Sequence, residues 1–313
     1  KGGVKAAEKA IADMAPATMH MGSKKIEKLN FVRHYLMNDG TYFGDNFGST
    51  ASGYKDYHIV QFANTSDTIK ALNTYTESDD IESVCVDKTV PALENPIEKT
   101  AEQNIDSNPT KRTLNSWAAE STGLYAIKNY VENNNIQLNE VKVALIGTGV
   151  DLEQEFFEGR LERTYFYGSG TPEAAEQDFF NHETSVTSII VDATPENVKI
   201  RNYKVADDGN FSMSTVVLAF LQAILDDVQV INCSFLFNVN TAKWTTDELL
   251  FADAIKTAYE QNIFVVASSG NGPTACYEPK YALPASSDFV LTISASNIYS
   301  YPCNWSSRGK CVE

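Results

Sequence analysis

Apolar runs of strand length alternate with helix-like stretches in the second half of the chain. The predicted strands are 141–146, 198–200, 228–231, 263–267 and 289–295. The predicted helices are 122–133, one that begins near 182, 214–225 and 248–261. Continuous apolar strands between helices are typical of a parallel sheet covered on both faces. The pattern therefore predicts an α/β fold with a mostly parallel sheet. In such sheets the functional site lies off the carboxyl ends of the strands.

The first 113 residues follow a different pattern. Residues 1–53 predict helical and loop structure, because an Ala- and Lys-rich start gives way to a stretch rich in Gly, Asn and Asp. Residues 54–90 contain a short β run, a cappable helix and an alternating strand, which together predict a small α+β domain. Residues 91–113 are polar and include Pro91, Pro96 and Pro109, as a linker does. The main domain is therefore predicted to be 114–313.

The composition of the chain argues against several classes of function. The formal net charge of −16 argues against a nucleic-acid partner, because such proteins concentrate Lys and Arg. No apolar run approaches the roughly 20 residues of a membrane helix. The five cysteines include no CxxC pair, so neither a disulfide framework nor a zinc site is indicated. A bridge between Cys303 and Cys311 stays open, since spacing alone does not decide it.

Three segments at predicted strand or helix ends carry candidate chemistry. They read Ala-Leu-Ile-Gly-Thr-Gly-Val-Asp at 144–151, Asn-His-Glu-Thr-Ser-Val at 181–186 and Val-Ala-Ser-Ser-Gly-Asn at 266–271. Together they resemble the subtilisin-like serine proteases, whose patterns are Ile-Asp-Thr-Gly-Val, Gly-His-Gly-Thr-His-Val and Ala-Gly-Asn. Segments 230–234, 281–286 and 305–309 are similar to further family segments, in the same order. The resemblance covers about 114–313, and 54–90 looks like the family's inhibitor prodomain.

The resemblance implies a role for each matching position. Acyl transfer to a serine needs a base, a carboxylate that orients the base, and donors for the oxyanion. His182 matches the base and Asn271 the side-chain oxyanion donor, whereas Gly147 stands where the family has its catalytic Asp. The substrate-binding edge corresponds to Ser234, Phe235, Leu236 and Phe237. The nucleophilic serine is expected beyond 305–309, so the peptidase domain is predicted to be incomplete at Glu313.

Several departures from the family pattern fall at this one cleft. Gly147 offers no carboxylate, and Glu183 replaces a glycine beside the base. Glu183 is the neighbour of His182 on a helix and is expected to point elsewhere. Leu236 and Phe237 replace glycines and are expected to crowd the substrate groove. These changes predict a degraded protease, inactive in this form and kept for binding or regulation. The alternative is an active secreted endopeptidase in its full-length form, with a carboxylate from elsewhere.

The resemblance also implies partners and location. A polypeptide substrate or the chain's own prodomain is expected in the cleft, in a monomer at an extracellular or cell-envelope location. No cofactor is expected; Ca²⁺ is frequent in the family, but no dense Asp/Asn loop of the required type is visible, so no metal ligand is assigned. Gly147-Thr148-Gly149 also permits a remote alternative, a dinucleotide site. That fingerprint needs a third glycine where Leu152 stands.

Overall fold

The computed structural model describes residues 73, 76–77, 89–91 and 116–312, the last range without 167–176, 179, 207–209, 241–243 and 273–279. The chain divides into two compact units, Lys1–Lys88 with Thr245–Leu249 and Thr89–Trp244 with Leu250–Glu313. The fold that follows belongs to the second unit, apart from the first turn of the helix that begins at Thr246. Nearly all of the predicted N-terminal segment, α+β domain and linker lies outside the described residues. Those three assignments therefore stay predictions.

A six-stranded sheet forms the centre of the main domain. Its strands are β2 (Val141–Gly147), β3 (Leu161–Phe166), β4 (Val198–Lys204), β6 (Val230–Cys233), β8 (Phe264–Ser268) and β10 (Leu291–Ile293). They run in the order β10-β8-β6-β2-β4-β3, and every neighbouring pair is parallel. The predicted α/β fold with a mostly parallel sheet is confirmed.

Two small antiparallel ribbons accompany the sheet. One pairs β1 (Thr89–Pro91) with β5 (Asn210–Ser212), and the other pairs β7 (Phe237–Asn240) with β9 (Lys280–Leu283). Neither ribbon was predicted, because strands of three or four residues show too few alternating positions to be recognised. Strand β3 was missed as well: only Leu161, Tyr165 and Phe166 are apolar in its six residues.

Helices lie between the strands as the pattern predicted. They are α1 (Ser116–Ser121), α2 (Leu124–Asn133), α3 (His182–Ala193), α4 (Met213–Leu225) and α5 (Thr246–Glu260). The predicted helix 122–133 is interrupted at its start, because Gly123 has a φ of +73° and separates α1 from α2. No helix among the described residues is long and apolar enough to span a membrane.

Strand β2 lies in the interior of the sheet, and its last residues form the floor of the candidate site. Ala144, Leu145 and Ile146 are fully buried, since β4 and β6 flank the strand on its two sides. Helix α3 packs nearby, with Val191 in a buried cluster that also contains Leu145 and Ile200. The carboxyl end of β2 and the amino end of α3 are thereby held close together.

Candidate active site

The carboxyl ends of β2, β6 and β8 converge as the fold class predicts. His182 opens α3, and its Nε2 lies 3.2 Å from the carbonyl oxygen of Ser234, directly after β6. Gly270 follows β8 with a φ of +99°, and a Cβ built there would lie 2.5 Å from the Leu236 side chain. Leu236 therefore packs on the residue that precedes Asn271, which is itself exposed. The segment 234–236 thus contacts both His182 and the loop of Asn271.

Asn181 is the residue directly before α3 and forms the turn into the helix. Its backbone has a φ of 55° and a ψ of 15°, the left-handed region. Asparagine tolerates this conformation better than most residues that carry a side chain, which explains why it can stand where the family pattern has glycine. The turn delivers His182 and Glu183 side by side to the end of β2.

The Glu183 carboxyl group occupies the space beside Gly147. A Cβ built on Gly147 would lie 1.9 Å from Glu183 Oε1 and 2.2 Å from its carboxyl carbon. The same Oε1 lies 3.8 Å from His182 Nε2, and Glu183 is fully buried. The prediction that the Glu183 side chain points away from His182 is wrong. Helical neighbours generally diverge, but the missing side chain at 147 leaves room for this one to turn inward.

Asp178 fixes the amino end of α3 and was not singled out from the sequence. One carboxylate oxygen accepts hydrogen bonds from the Thr148 hydroxyl, at 3.0 Å, and the Phe180 backbone amide, at 3.1 Å. The other oxygen accepts from the backbone amide and the hydroxyl of Thr184, at 2.9 and 2.8 Å. A carboxylate at a helix start both satisfies free N–H groups and favours the helix dipole. Asp178 thereby ties α3 to the loop after β2.

Burial dominates the electrostatics of Glu183. It raises the pKa of the Glu183 carboxyl well above its ordinary value, and the negative charge of Asp178 raises it further. Burial, followed by the charge of Glu183, likewise raises the pKa of the Cys233 thiol. Neither Glu183 oxygen has a hydrogen-bond partner among the described residues. The protonated form of Glu183 is therefore favoured as long as no cation approaches it.

The raised pKa of Glu183 makes stability depend on pH. The folded protein binds a proton at Glu183 that the unfolded chain releases near pH 4.5, the ordinary value. Stability from this group is therefore full below that pH and is lost progressively as the pH rises. We expect Glu183→Gln to raise the melting temperature more at pH 8 than at pH 5. Scanning calorimetry at both values measures this, and an equal effect at the two would contradict it.

The residues of the predicted substrate edge differ in burial. Ser234 and Leu236 are half-buried beside His182 and Gly270. Phe237 is fully buried, and its ring packs edge-on against Phe235 and Phe251, with centroids 6.0 and 5.9 Å apart. The expectation that Phe237 crowds the groove is therefore wrong, because its side chain lies in the core. Leu236 is the substitution that faces the cleft loop.

Serine hydroxyls of the 305–309 segment support the loop that carries Asn271. Ser307 donates a 2.7 Å hydrogen bond from its hydroxyl to the Gly272 carbonyl, and its backbone amide donates to the Gly270 carbonyl. Ser306 accepts a hydrogen bond from the Ala295 amide and lies 2.9 Å from the Ser294 hydroxyl. The sequence marked this segment as similar to the family, and the structure shows that it holds the neighbouring loop in place.

The cysteines and acidic residues offer no metal site in the described part of the chain. No group of three or more His, Cys, Asp or Glu side chains there is arranged to hold an ion. Cys233 is a buried free thiol, Cys303 is also free, and Cys311 is in a disulfide bond. A bridge between Cys303 and Cys311 is therefore not formed.

Comparisons with known proteins agree with this geometry. The model of the subtilase family (peptidase S8) matches residues 139–313. Alkaline protease 1 of Aspergillus flavus and that of Aspergillus oryzae are each 26% identical over 172 residues, which cover 54% of this chain and 41% of theirs. The chain thus spans about two fifths of these relatives. The crystal structure of a lanthipeptide protease is similar with a TM-score of 0.53 and 21% identity, covering 63% of this chain and 62% of that one.

Proposed function

The chain belongs to the subtilase family, and from that premise we propose that its cleft binds polypeptide chains in an extended conformation. The family's chemistry is peptide-bond hydrolysis, so a polypeptide is the expected ligand. His182 would hold the base position and Asn271 the oxyanion position, with Ser234 and Leu236 at the substrate edge. An extracellular or cell-envelope location is part of the proposal.

The pairing of β1 with β5 carries this proposal. Thr89, Val90 and Pro91 lie opposite Ser212, Phe211 and Asn210 in an antiparallel ladder. Adding an extended segment to a short sheet edge is a general mode of peptide recognition, in which main-chain hydrogen bonds supply much of the affinity. Residues 89–91 of the chain thus pair with β5 in the way that a bound extended peptide would.

Strand β5 belongs to the same site as the candidate base. The Phe211 ring is almost fully buried and packs on Phe235, with ring centroids 5.1 Å apart. Phe235 follows Ser234, whose carbonyl oxygen lies 3.2 Å from His182 Nε2. Only two residues therefore separate the peptide-binding edge from the imidazole. This closeness supports the proposal that the chain's own prodomain region, 54–90, ends in a segment that covers the cleft.

Hydrolysis in the cleft is proposed to be impaired. Gly147 offers no carboxylate, and in subtilisin, the measured example for this chemistry, loss of that carboxylate lowers turnover by about 3 × 10⁴. Binding needs none of the catalytic side chains, since it uses the backbone of β5. The first candidate is therefore a polypeptide-binding protein with a protease fold.

The second candidate is an active endopeptidase in the full-length protein, and the position of Glu183 favours it. A carboxyl group does lie beside the candidate base, at 3.8 Å, although it comes from the wrong residue. Purified full-length protein, which should include the expected nucleophilic serine, tells the two candidates apart. A polypeptide that stays intact across 91–113 agrees with the first, whereas clean cleavage there, blocked by a serine-protease inhibitor, agrees with the second.

Hydrogen exchange tests the binding proposal. In the 313-residue chain we expect slow exchange at those amides of Thr89, Val90 and 210–212 that donate across the ladder; Pro91 has no amide hydrogen. A synthetic peptide with the sequence of residues 84–94, at millimolar concentration to compete with the tethered segment, should speed exchange at the protected amide of Thr89 or Val90 and leave that of 210–212 protected. A scrambled peptide is the control. Fast exchange at both Thr89 and Val90 without any peptide would contradict the proposal.

A further inference from the structure

We propose that Glu183 is a positioning residue for His182, with its carboxyl group standing in the place that the missing side chain at 147 leaves open. The inference deepens the second candidate function and rests on His182 being the base. It makes Gly147 and Glu183 a matched pair of substitutions, in which the carboxyl group has moved from the end of β2 to the start of α3.

The two positions exclude each other sterically. Any Cβ on residue 147 would lie within 2.3 Å of three atoms of the Glu183 side chain, which no pair of non-bonded atoms tolerates. Only glycine at 147 allows the Glu183 side chain to lie where it does. The Glu183 backbone is also held toward β2, since its amide lies 3.4 Å from the Thr148 hydroxyl. The carboxyl group is thus fixed at this place from both sides.

The burial of Glu183 argues against the interpretation that its side chain only fills space in the core. Glutamate is among the residues least often fully buried, unless it is paired, and an apolar side chain would fill the same volume at lower cost. Both of its oxygens lack a hydrogen-bond partner among the described residues. The charged or titratable groups that face it are Asp178 before α3, Cys233 on β6 and His182. Of these three, only the imidazole becomes a cation.

The geometry assigns the ring nitrogens. Nε2 faces both the Ser234 carbonyl oxygen, at 3.2 Å, and Glu183 Oε1, at 3.8 Å. The Ser234 carbonyl oxygen can only accept a hydrogen bond, so the N–H lies on Nε2 and Nδ1 is left to accept a proton from a reacting group. Nε2 keeps its own proton when Nδ1 takes that one, so the ring becomes positive beside the uncharged Glu183 carboxyl group. An oxygen of that group faces the N–H of the charged ring and favours this orientation of it, and no proton leaves Glu183 in the step.

Nuclear magnetic resonance of the intact 313-residue chain tests this without any assay of binding or cleavage. The chain has four histidines, and a His182→Gln variant identifies the ring signals of His182. We expect the ¹⁵N shifts of the native His182 ring at about pH 9, where an ordinary histidine is uncharged, to place its proton on Nε2. In Glu183→Leu, which keeps the bulk and removes the oxygen that faces Nε2, we expect a mixture of the Nε2–H and Nδ1–H forms. The double variant Gly147→Asp with Glu183→Gly should return the proton to Nε2. Glu153→Leu, at an exposed position, is the matched control and should leave the native tautomer unchanged.

Each outcome decides the proposal. An unchanged tautomer in Glu183→Leu would mean that Glu183 only fills space, and failure of the double variant to restore the native tautomer would show that 147 and 183 are not equivalent positions for the carboxyl group. If Glu183→Leu does not fold, the native protein still answers, because a ring proton on Nδ1 there would overturn the inference. Loss of peptide binding would affect the proposed function and not this result.

Discussion

Asp178→Ala is expected to lower the free energy of unfolding by about 3–5 kcal/mol, and thereby to disorganise the start of α3. The carboxylate is buried and accepts four hydrogen bonds, from Thr148, Phe180 and, twice, Thr184. Its removal leaves these donors without their acceptor in a place that water reaches poorly, at a cost of about 1–3 kcal/mol for each donor that stays unpaired. Some donors will find other partners, which is why the expected total is below the sum.

Urea unfolding followed by circular dichroism measures this effect. Asp151→Ala is the control, because Asp151 also accepts two hydrogen bonds, from the Glu153 amide and the Gln154 side chain, but in an exposed turn. We expect that control to lose no more than about 1 kcal/mol. Equal losses in the two variants would show that burial of the Asp178 network contributes nothing.

Most of the sheet could be predicted because strands such as β2 are apolar on both faces. Strand β2, Val-Lys-Val-Ala-Leu-Ile-Gly, is read directly from its composition, and its five last residues are buried. The position of His182 at a helix start followed in the same way from the segment that surrounds it. Local sequence determines such elements, so local reasoning finds them.

The positions of the side chains in the site were harder to predict, because they depend on contacts between residues that are far apart in the sequence. Asp178 lies 30 positions from Thr148, and no local pattern links the two. The direction of the Glu183 side chain depends on the space beside Gly147, which lies at the end of strand β2 and not on the helix of Glu183. A signal was present, since Gly147 and Glu183 both depart from the family pattern, one losing a carboxyl group and the other gaining one. Weighing the two changes together would have suggested the exchange.

The prediction for Phe237 failed for the same reason, because the surroundings of its ring depend on residues far away in the sequence. The sequence places it where the family pattern has a glycine at a peptide-binding edge, which predicts a blocked groove. Its burial arises from a ribbon that was not predicted, in which Phe237 lies opposite Leu283. The β7–β9 pairing turns the ring into the core against Phe251. A substitution at a functional edge therefore changes the site only when the backbone presents the new side chain to it.

Gly147→Asp, the change that restores the family's residue, is expected to destabilise the native protein by about 3 kcal/mol or more. Gly147 lies in a regular strand, so the backbone accepts any residue. The obstacle is the Glu183 carboxyl group, whose atoms lie 1.9–2.3 Å from the new Cβ. Overpacking a full core costs about 1–3 kcal/mol, and a second buried carboxylate beside the first adds repulsion. Gly147→Ala separates the two causes, since it introduces the Cβ without the charge.

Combining Gly147→Asp with Glu183→Gly should recover most of this loss. The glycine at 183 opens the space that the aspartate needs, so the two substitutions should couple by about 2–3 kcal/mol instead of adding. Urea unfolding of the native chain, both single variants and the double variant gives this coupling energy. Additive losses would mean that the two side chains do not compete for one place. Strong coupling would mean that position 147 can regain a carboxyl group only when position 183 gives it up.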